Sequence, residues 1–207
     1  MTKNFILFDF DGVIADSFQA AYDVANMMCP HLTEDEHRRR FEGNFHDWEE
    51  PVDRHTKDCR EDVDFFEEYV PRLQKSGIFS GMKEVIAELA QRYTLIIVSS
   101  TITSPIQDYL DTHDLSKYFS WVMGADVHKS KVEKIKMVFE KYSIGPANCI
   151  FITDTLGDMR EAEKTDMGAI GVTWGFHKLE TLEQGEPFRL VETPSALAVA
   201  IADYFAQ

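Results

Sequence analysis

The chain has 207 residues, of which 44% are hydrophobic and 12% aromatic, enough to bury the core of one large domain or of a domain with an insertion. Lys and Arg number 21 against 36 Asp and Glu, so the formal net charge is −15. A field of this sign repels polyanions, and we therefore expect no nucleic-acid partner and no anionic membrane surface. No apolar run approaches membrane-spanning length, and three widely spaced cysteines, Cys29, Cys59 and Cys149, fit reduced thiols in a cytoplasmic protein.

The first predicted element is a strand that opens the stretch FILFDFDGVIADS, Phe5 to Ser17. Residues 16–79 then break the pattern, because they are strongly charged, lack β-branched runs and predict helices, notably over 18–28 and 62–74. Four further apolar runs predict strands over 94–99, 120–123, 149–153 and 169–173. Helices are predicted between and after these runs, over 82–92, 104–112, 131–142, 158–165 and 194–205.

Continuous apolar runs without alternation are typical of strands covered on both faces, as in a parallel sheet. Strand and helix in regular succession predict an α/β fold, a doubly wound parallel sheet with a Rossmann-like core. We expect this catalytic core to comprise residues 1–15 and 80–207, with 16–79 inserted as a helical cap domain. Ser130 and Glu133 have the spacing of a capping box at the start of one core helix.

Acidic residues follow the first strand in a pattern that suggests a ligand site. Asp9 and Asp11 are two positions apart, so in an extended backbone they project to the same side. Ligands of open α/β sheets bind beyond the carboxyl ends of the strands, where this pair would lie. Two carboxylates there repel one another unless a cation or a shared proton intervenes. Asp154 and Asp158 follow the strand predicted over 149–153 in a similar way.

Four motifs in order, DFDGVIADS, LIIVSS, HKSK and FITDTLGD, each stand at the end of a predicted strand or the start of a helix. With these motifs the chain resembles the haloacid dehalogenase superfamily, specifically members similar to phosphoglycolate phosphatase and β-phosphoglucomutase that carry a helical cap after the first motif. The later segment GVTWGFH, Gly171 to His177, resembles the phosphoglycolate-phosphatase-like relatives.

The resemblance implies catalytic roles residue by residue. Asp9 matches the nucleophile that forms an aspartyl-phosphate, and Asp11 matches the general acid and base. Ser99, with Ser100 beside it, matches the residues that bind the transferring phosphoryl group. Lys129 matches the cation that neutralises the phosphate.

Two details of the implied site concern cations. Lys131 is an alternative to Lys129, because relatives often follow this lysine with proline whereas Ser130 stands here. The resemblance also implies a Mg²⁺ site formed by the metal ligands Asp9, Asp11 through its carbonyl, Asp154 and Asp158. A sparse carboxylate set of this kind suits Mg²⁺, which retains several waters and the substrate phosphate.

The expected function is a Mg²⁺-dependent phosphatase that hydrolyses a small phosphate ester, phosphoglycolate-like or a sugar phosphate, as a monomer or homodimer. A phosphomutase of the β-phosphoglucomutase type is the alternative, and a receiver-like or non-catalytic phospho-ligand-binding module is a third possibility. In capped relatives the cap contacts the substrate beyond the phosphate. Cap side chains that could do so here are His31, Arg38, Arg39, Arg40, Trp48, Arg54 and His55. The run HRRRF is flanked by acids, which favours a solvated, ion-paired helix face over substrate recognition, and we expect His31 and His55 at the surface.

Overall fold

The computed structural model describes residues 4–47, 59–60 and 62–207. Within this part of the chain the strands are β1 (Phe5–Phe8), β2 (Thr94–Val98), β3 (Phe119–Met123), β4 (Cys149–Thr153), β5 (Gly168–Val172) and β6 (Arg189–Val191). The α-helices are α1 (Phe18–Met28), α2 (Glu34–Arg39), α3 (Phe65–Leu73), α4 (Met82–Leu89), α5 (Thr103–Thr112), α6 (Lys131–Tyr142), α7 (Leu156–Glu163), α8 (Leu179–Leu182) and α9 (Pro194–Tyr204).

The strands form one parallel sheet in the order β3-β2-β1-β4-β5-β6. The first strand is central, and Phe8 at its end is paired with Ile97 of β2 and Ile152 of β4. Because the chain order reverses direction on either side of β1, the crevice beyond the ends of β1 and β4 is the position where doubly wound sheets bind ligands. The expected fold class, a doubly wound parallel sheet with an inserted helical cap, is confirmed.

Two apolar layers hold the sheet between its helices. Side chains alternate along β1, so that Ile6 and Phe8 join a cluster with residues of α4, α5 and α9, whereas Phe5 and Leu7 join a second cluster with residues of α6. All four residues are at most 3% exposed. Burial on both faces explains why the strands are apolar at every position rather than at alternate ones.

The cap helices α1 to α3 lie between β1 and α4 in the chain. The two crossings between cap and core run side by side, since the Asp16 N–H donates to the Gly77 carbonyl at 2.8 Å. The cap segment that follows α2 also contacts α7, where the Gly157 N–H donates to the Phe41 carbonyl at 2.9 Å. A Cβ at Gly157 would collide with the Phe41 and Gly43 carbonyls, so glycine is required for this approach. The domain boundaries at 15/16 and 79/80 stay a prediction.

Several boundaries differ from the sequence prediction for local reasons. The helix expected over 62–74 begins at Phe65, because Asp64 acts as its N-cap and accepts the Glu67 N–H at 3.0 Å. Ser130 caps no backbone group of α6, so the capping box is wrong. Its hydroxyl donates instead to Glu161 of α7 at 3.3 Å. The short strand β6 was not predicted.

The cysteines also differ from expectation. Cys29, at the end of α1, is bonded to Cys59 across a sequence separation of 30, and Cys149 is a buried thiol. A disulfide is uncommon in a reducing compartment, so the cytoplasmic location expected from the cysteine pattern loses that support. Among the residues described, the helices are all too short or too polar to cross a membrane.

Candidate active site

Asp9 lies directly after β1, in the crevice between the central strands. Its N–H donates to the Ile152 carbonyl of β4 at 2.9 Å, and its carboxylate accepts the Phe10 N–H at 2.8 Å. Asp9 is only 6% exposed. Burial raises the pKa of its carboxyl well above the usual range, Asp158 and Asp154 add to the rise, and Lys131 opposes it. The end of β1 therefore places a carboxyl group in a buried crevice, where a cation offsets its negative charge.

That cation is Lys131, which corrects the expected order of the two lysines. The Lys131 Nζ lies 3.0 Å from Asp9 Oδ1 and 2.6 Å from Asp158 Oδ2, and the side chain is 3% exposed. Lys129 is exposed in the loop before α6. The reason is helical register, because position 131 shares the buried face of α6 with Ile135 and Val138. Burial opposes ionisation, but the two carboxylates raise the pKa of Lys131 above its ordinary value.

Asp11 faces the same crevice and is held by hydroxyl groups from three parts of the chain. Ser17 donates to its Oδ1 at 2.8 Å and Thr101 to its Oδ2 at 2.8 Å. The hydroxyl of Tyr69, on cap helix α3, also donates to Oδ1. The turn that brings Asp11 back towards the crevice includes Gly12, whose φ of 71° is favourable for glycine.

The loop after β2 presents hydroxyls, but not in the arrangement expected. Ser99 is fully buried, and its Oγ accepts the Thr101 N–H at 3.0 Å. The cavity beside Asp9 is lined from this loop by Ser100 and Thr101. Lys134 secures the loop, since its Nζ donates to the Ser99 carbonyl at 2.5 Å. Burial, followed by the nearby Lys131, lowers the pKa of Lys134 to about 8.

Asp154 follows β4 and is fully buried. Its Oδ2 accepts the Phe176 N–H at 2.6 Å, whereas its Oδ1 has no hydrogen-bond partner in the structure. Burial raises the pKa of this carboxyl to about 7, and the Phe176 N–H opposes the rise. An orphaned buried carboxylate oxygen next to Asp9 is what a cation site needs, because a buried anion without a partner is costly.

Asp158, on the first turn of α7, is already engaged by protein groups. It accepts the Lys131 ammonium at 2.6 Å and the Thr153 hydroxyl at 2.7 Å. Burial raises the pKa of its carboxyl, but Lys131 and the hydrogen bonds outweigh burial and hold that pKa below the ordinary value. Its position therefore fits orientation of Lys131 better than direct ligation of a metal. Within the described residues, no group of three or more His, Cys, Asp or Glu side chains is arranged to hold a metal ion by itself.

A cavity of about 60 Å³ opens between these groups and the cap. Polar residues of the core form one end of it: Asp9, Asp11, Ser100, Thr101, Lys131, Thr155, Asp158 and Glu161. The other end is formed by cap residues and one core ring: Ala21, Phe41, Gly43, Phe45, Phe65, Phe66, Tyr69 and Phe176. The cavity thus has a charged side formed by the core, which we call the floor, and an aromatic side formed mainly by the cap, which we call the roof.

Of the cap residues suggested by sequence, the four that the structure describes, His31, Arg38, Arg39 and Arg40, do not line the cavity. The Arg38 guanidinium lies 3.7 Å from the centre of the Phe18 ring and donates to the Phe176 carbonyl. His31 and Arg39 are exposed. Arg40 is half-buried and does not line the cavity. Trp48, Arg54 and His55 lie outside the described residues.

Four site residues were missed by sequence reasoning: Tyr69, Thr101, Lys134 and Glu161. Lys134 carried a signal, since its register places it on the apolar face of α6 with Lys131. Glu161, buried on α7, accepts the Lys131 N–H at 2.9 Å. Tyr69 had no local signal, because its contact with Asp11 spans 58 positions of sequence.

Comparison with known proteins identifies the family of the chain. A family model described as haloacid dehalogenase-like hydrolase matches residues 6–172. The phosphoglycolate phosphatase of Synechococcus elongatus is 26% identical over 222 residues, covering 98% of this chain and 99% of that protein. That of Escherichia coli K12 is 24% identical over 142 residues, covering 66% of this chain and 56% of that protein.

Among solved structures, a haloacid dehalogenase-like hydrolase from Streptococcus pneumoniae superposes with a TM-score of 0.77 at 20% identity. The match covers 96% of this chain and 98% of the other.

Proposed function

Because the chain belongs to the haloacid dehalogenase-like hydrolases and is a hydrolase of the phosphatase type, we propose that it hydrolyses a small phosphate monoester through an aspartyl-phosphate on Asp9. The observation that carries this proposal is the convergence of Asp9, Asp11 and Lys131 on one cavity. A carboxylate nucleophile, a second carboxyl for proton transfer and a cation for the phosphoryl oxygens are the parts that such chemistry requires.

Asp9 attacks the phosphorus atom in this proposal, and the ester oxygen leaves. Lys131, 3.0 Å from Asp9 Oδ1, offsets the negative charge of the incoming phosphate. Asp158 and Glu161 fix this lysine from α7, through its ammonium at 2.6 Å and its N–H at 2.9 Å. Lys131 therefore takes the role that the sequence resemblance gave to Lys129. Ser100 and Thr101 line the cavity where the phosphoryl oxygens would lie.

Asp11 supplies the proton that the departing oxygen takes up, and then accepts a proton from the water that attacks the phosphorylated Asp9. Hydroxyl donors from Ser17, Thr101 and Tyr69 hold its carboxyl group in one orientation. A general acid must be placed within hydrogen-bond reach of the oxygen it protonates, so this fixed orientation favours the role.

The residues present also fit the Mg²⁺ that the family implies. Asp9, the carbonyl of Asp11 and the unpartnered Oδ1 of Asp154 would hold it, which leaves the positions that Mg²⁺ prefers to fill with water and phosphate. When bound, Mg²⁺ would offset the negative charge of the carboxylates and the phosphate. We assign Asp158 to the orientation of Lys131.

The experiment is phosphate release from a panel of phosphate monoesters with Mg²⁺ or a chelator, for wild type and Asp9→Asn. Release that requires Asp9 and transient labelling of the protein by ³²P support the proposal. Asp9→Asn activity equal to wild type refutes it. The phosphomutase alternative predicts isomerised sugar phosphate with little phosphate release, which the same samples reveal by chromatography.

A further inference from the structure

The roof of the cavity is built from aromatic rings that pack on one another. Phe41 and Phe45 stack with ring centres 5.1 Å apart, and Phe41 meets Phe176 edge to face at 5.0 Å. Phe65 stacks on Tyr69 with ring centres 5.3 Å apart. Offset and edge-to-face pairs of this kind form a preorganised apolar surface. The part of a substrate beyond the phosphate would lie against this surface.

The charges around the cavity disfavour an anionic leaving group. Asp11, Asp158 and Glu161 line it together with Asp9, and Lys131 is the cation among the described lining residues. Lys131 is already shared by Asp9 and Asp158. A carboxylate on the leaving group would therefore be buried beside several acids with no cation of its own among these residues, which is costly.

Polar partners for sugar hydroxyls are also few on the described roof. The Tyr69 hydroxyl donates to Asp11. The Asn44 amide, close to this wall in the chain, donates to Glu161 at 3.3 Å. A substrate hydroxyl that loses its hydrogen bonds to water and is buried against aromatic rings costs about 1–3 kcal/mol of binding free energy.

We propose that the protein prefers the phosphate monoester of an uncharged, predominantly apolar alcohol to a glycolate or sugar phosphate. This inference rests on the proposed phosphatase function and specifies its substrate class. The 60 Å³ of the cavity is smaller than the about 150 Å³ of an apolar cavity that binds benzene. Lining side chains must therefore shift when a ring-sized substrate binds.

The test compares benzyl phosphate, 2-phosphoglycolate and glucose 6-phosphate, with Mg²⁺ present. All three are esters of primary alcohols, so the comparison is between binding groups more than between leaving-group reactivities. We expect kcat/KM for benzyl phosphate to exceed the other two by at least about 20-fold, the scale on which hydrophobic pockets discriminate. A higher kcat/KM for either polar ester overturns the inference and leaves the phosphatase function intact.

A pair of matched variants connects the preference to the roof. Phe66→Asn should lower the ratio of kcat/KM for benzyl phosphate to that for 2-phosphoglycolate by about 10-fold. Phe205→Asn is the control, because Phe205 is a half-buried ring that does not line the cavity and whose ring contacts are with Tyr93 and Tyr204. A general loss of folded protein lowers both rates together and leaves the ratio unchanged. An unchanged ratio in Phe66→Asn counts against the inference.

Binding of non-hydrolysable compounds separates the two proposals. Calorimetry should show that benzylphosphonate binds at least about 10-fold more tightly than phosphonoacetate. If no ester is hydrolysed but this preference holds, the phosphatase function fails while the apolar site stands. Equal affinities, tighter binding of phosphonoacetate, or no binding of either compound overturn the apolar site.

Discussion

Replacement of Lys131 by methionine is the sharpest test of the site, because Lys129 two positions away provides a matched control. Methionine keeps a long side chain but removes an ammonium that lies 3.0 Å from Asp9 and 2.6 Å from Asp158. Breaking a buried charge pair by removing one partner costs about 3–5 kcal/mol. We therefore expect Lys131→Met to lower the free energy of unfolding at pH 7.5 by about 3 kcal/mol, and Lys129→Met to change it by less than about 0.5 kcal/mol.

The stability deficit of Lys131→Met should narrow as the pH falls. Without the cation the pKa of Asp9 rises further and the pKa of Asp158 rises from its lowered value, so protonation relieves their repulsion in the folded state. Urea unfolding at pH 7.5 and pH 5.5 measures this difference. Activity should fall by about 10²–10³-fold in Lys131→Met, the cost of losing one electrostatic contact to the transition state. Lys129→Met with an equal loss, or Lys131→Met with more than a tenth of wild-type kcat, would refute the assignment.

Three further predictions concern the cap. Tyr69→Phe should lower kcat by about 10-fold, since a hydrogen bond to a charged group is worth about 1.5–3 kcal/mol. Tyr22→Phe is the control and should retain wild-type kcat, because among the bonds described the Tyr22 hydroxyl donates only to the Leu32 carbonyl. Burial lowers the pKa of His37 to about 3. The unfolded state alone therefore takes up a proton below pH about 6.5, so stability falls by about 1.4 kcal/mol per pH unit on acidification. His37→Phe should flatten that slope in urea unfolding between pH 6.5 and 5. Finally, Cys29→Ser should lower the free energy of unfolding by about 3–4 kcal/mol, because the disulfide closes a loop of about 30 residues. The wild type should lose the same amount of stability when a reductant is added. An unchanged free energy of unfolding in Cys29→Ser contradicts this prediction.

The sheet and the acids of the first strand were predictable because their signals are local. Strand alternation places Asp9 and Asp11 on one side, and a buried strand must end where its apolar run ends. Motif spacing alone favours Lys129, whereas the helical register of α6 favours Lys131. The buried positions Ile135 and Val138 define the inward face of α6, and a lysine on that face requires carboxylate or carbonyl partners.

Other features depend on contacts that no local pattern encodes. Tyr69 reaches Asp11 only because α3 packs over the crevice, and Cys29 meets Cys59 only because the chain returns to the end of α1. The strand β6 has three residues, too few for periodicity to indicate. These contacts depend on long-range packing, which is determined by the complete fold and not by any short stretch of sequence.

The attachment of the cap to α7 has a consequence for the timing of turnover. The Gly157 N–H donates to the Phe41 carbonyl, and Arg160 donates to the Glu42 carbonyl at 2.6 Å. Together with the contact between Tyr69 and Asp11, these bonds must break whenever the cap separates from the core. The product would then leave in the same step in which the cap loosens. The rate of that step, more than the rate of bond cleavage, would set how long each phosphate remains inside the protein.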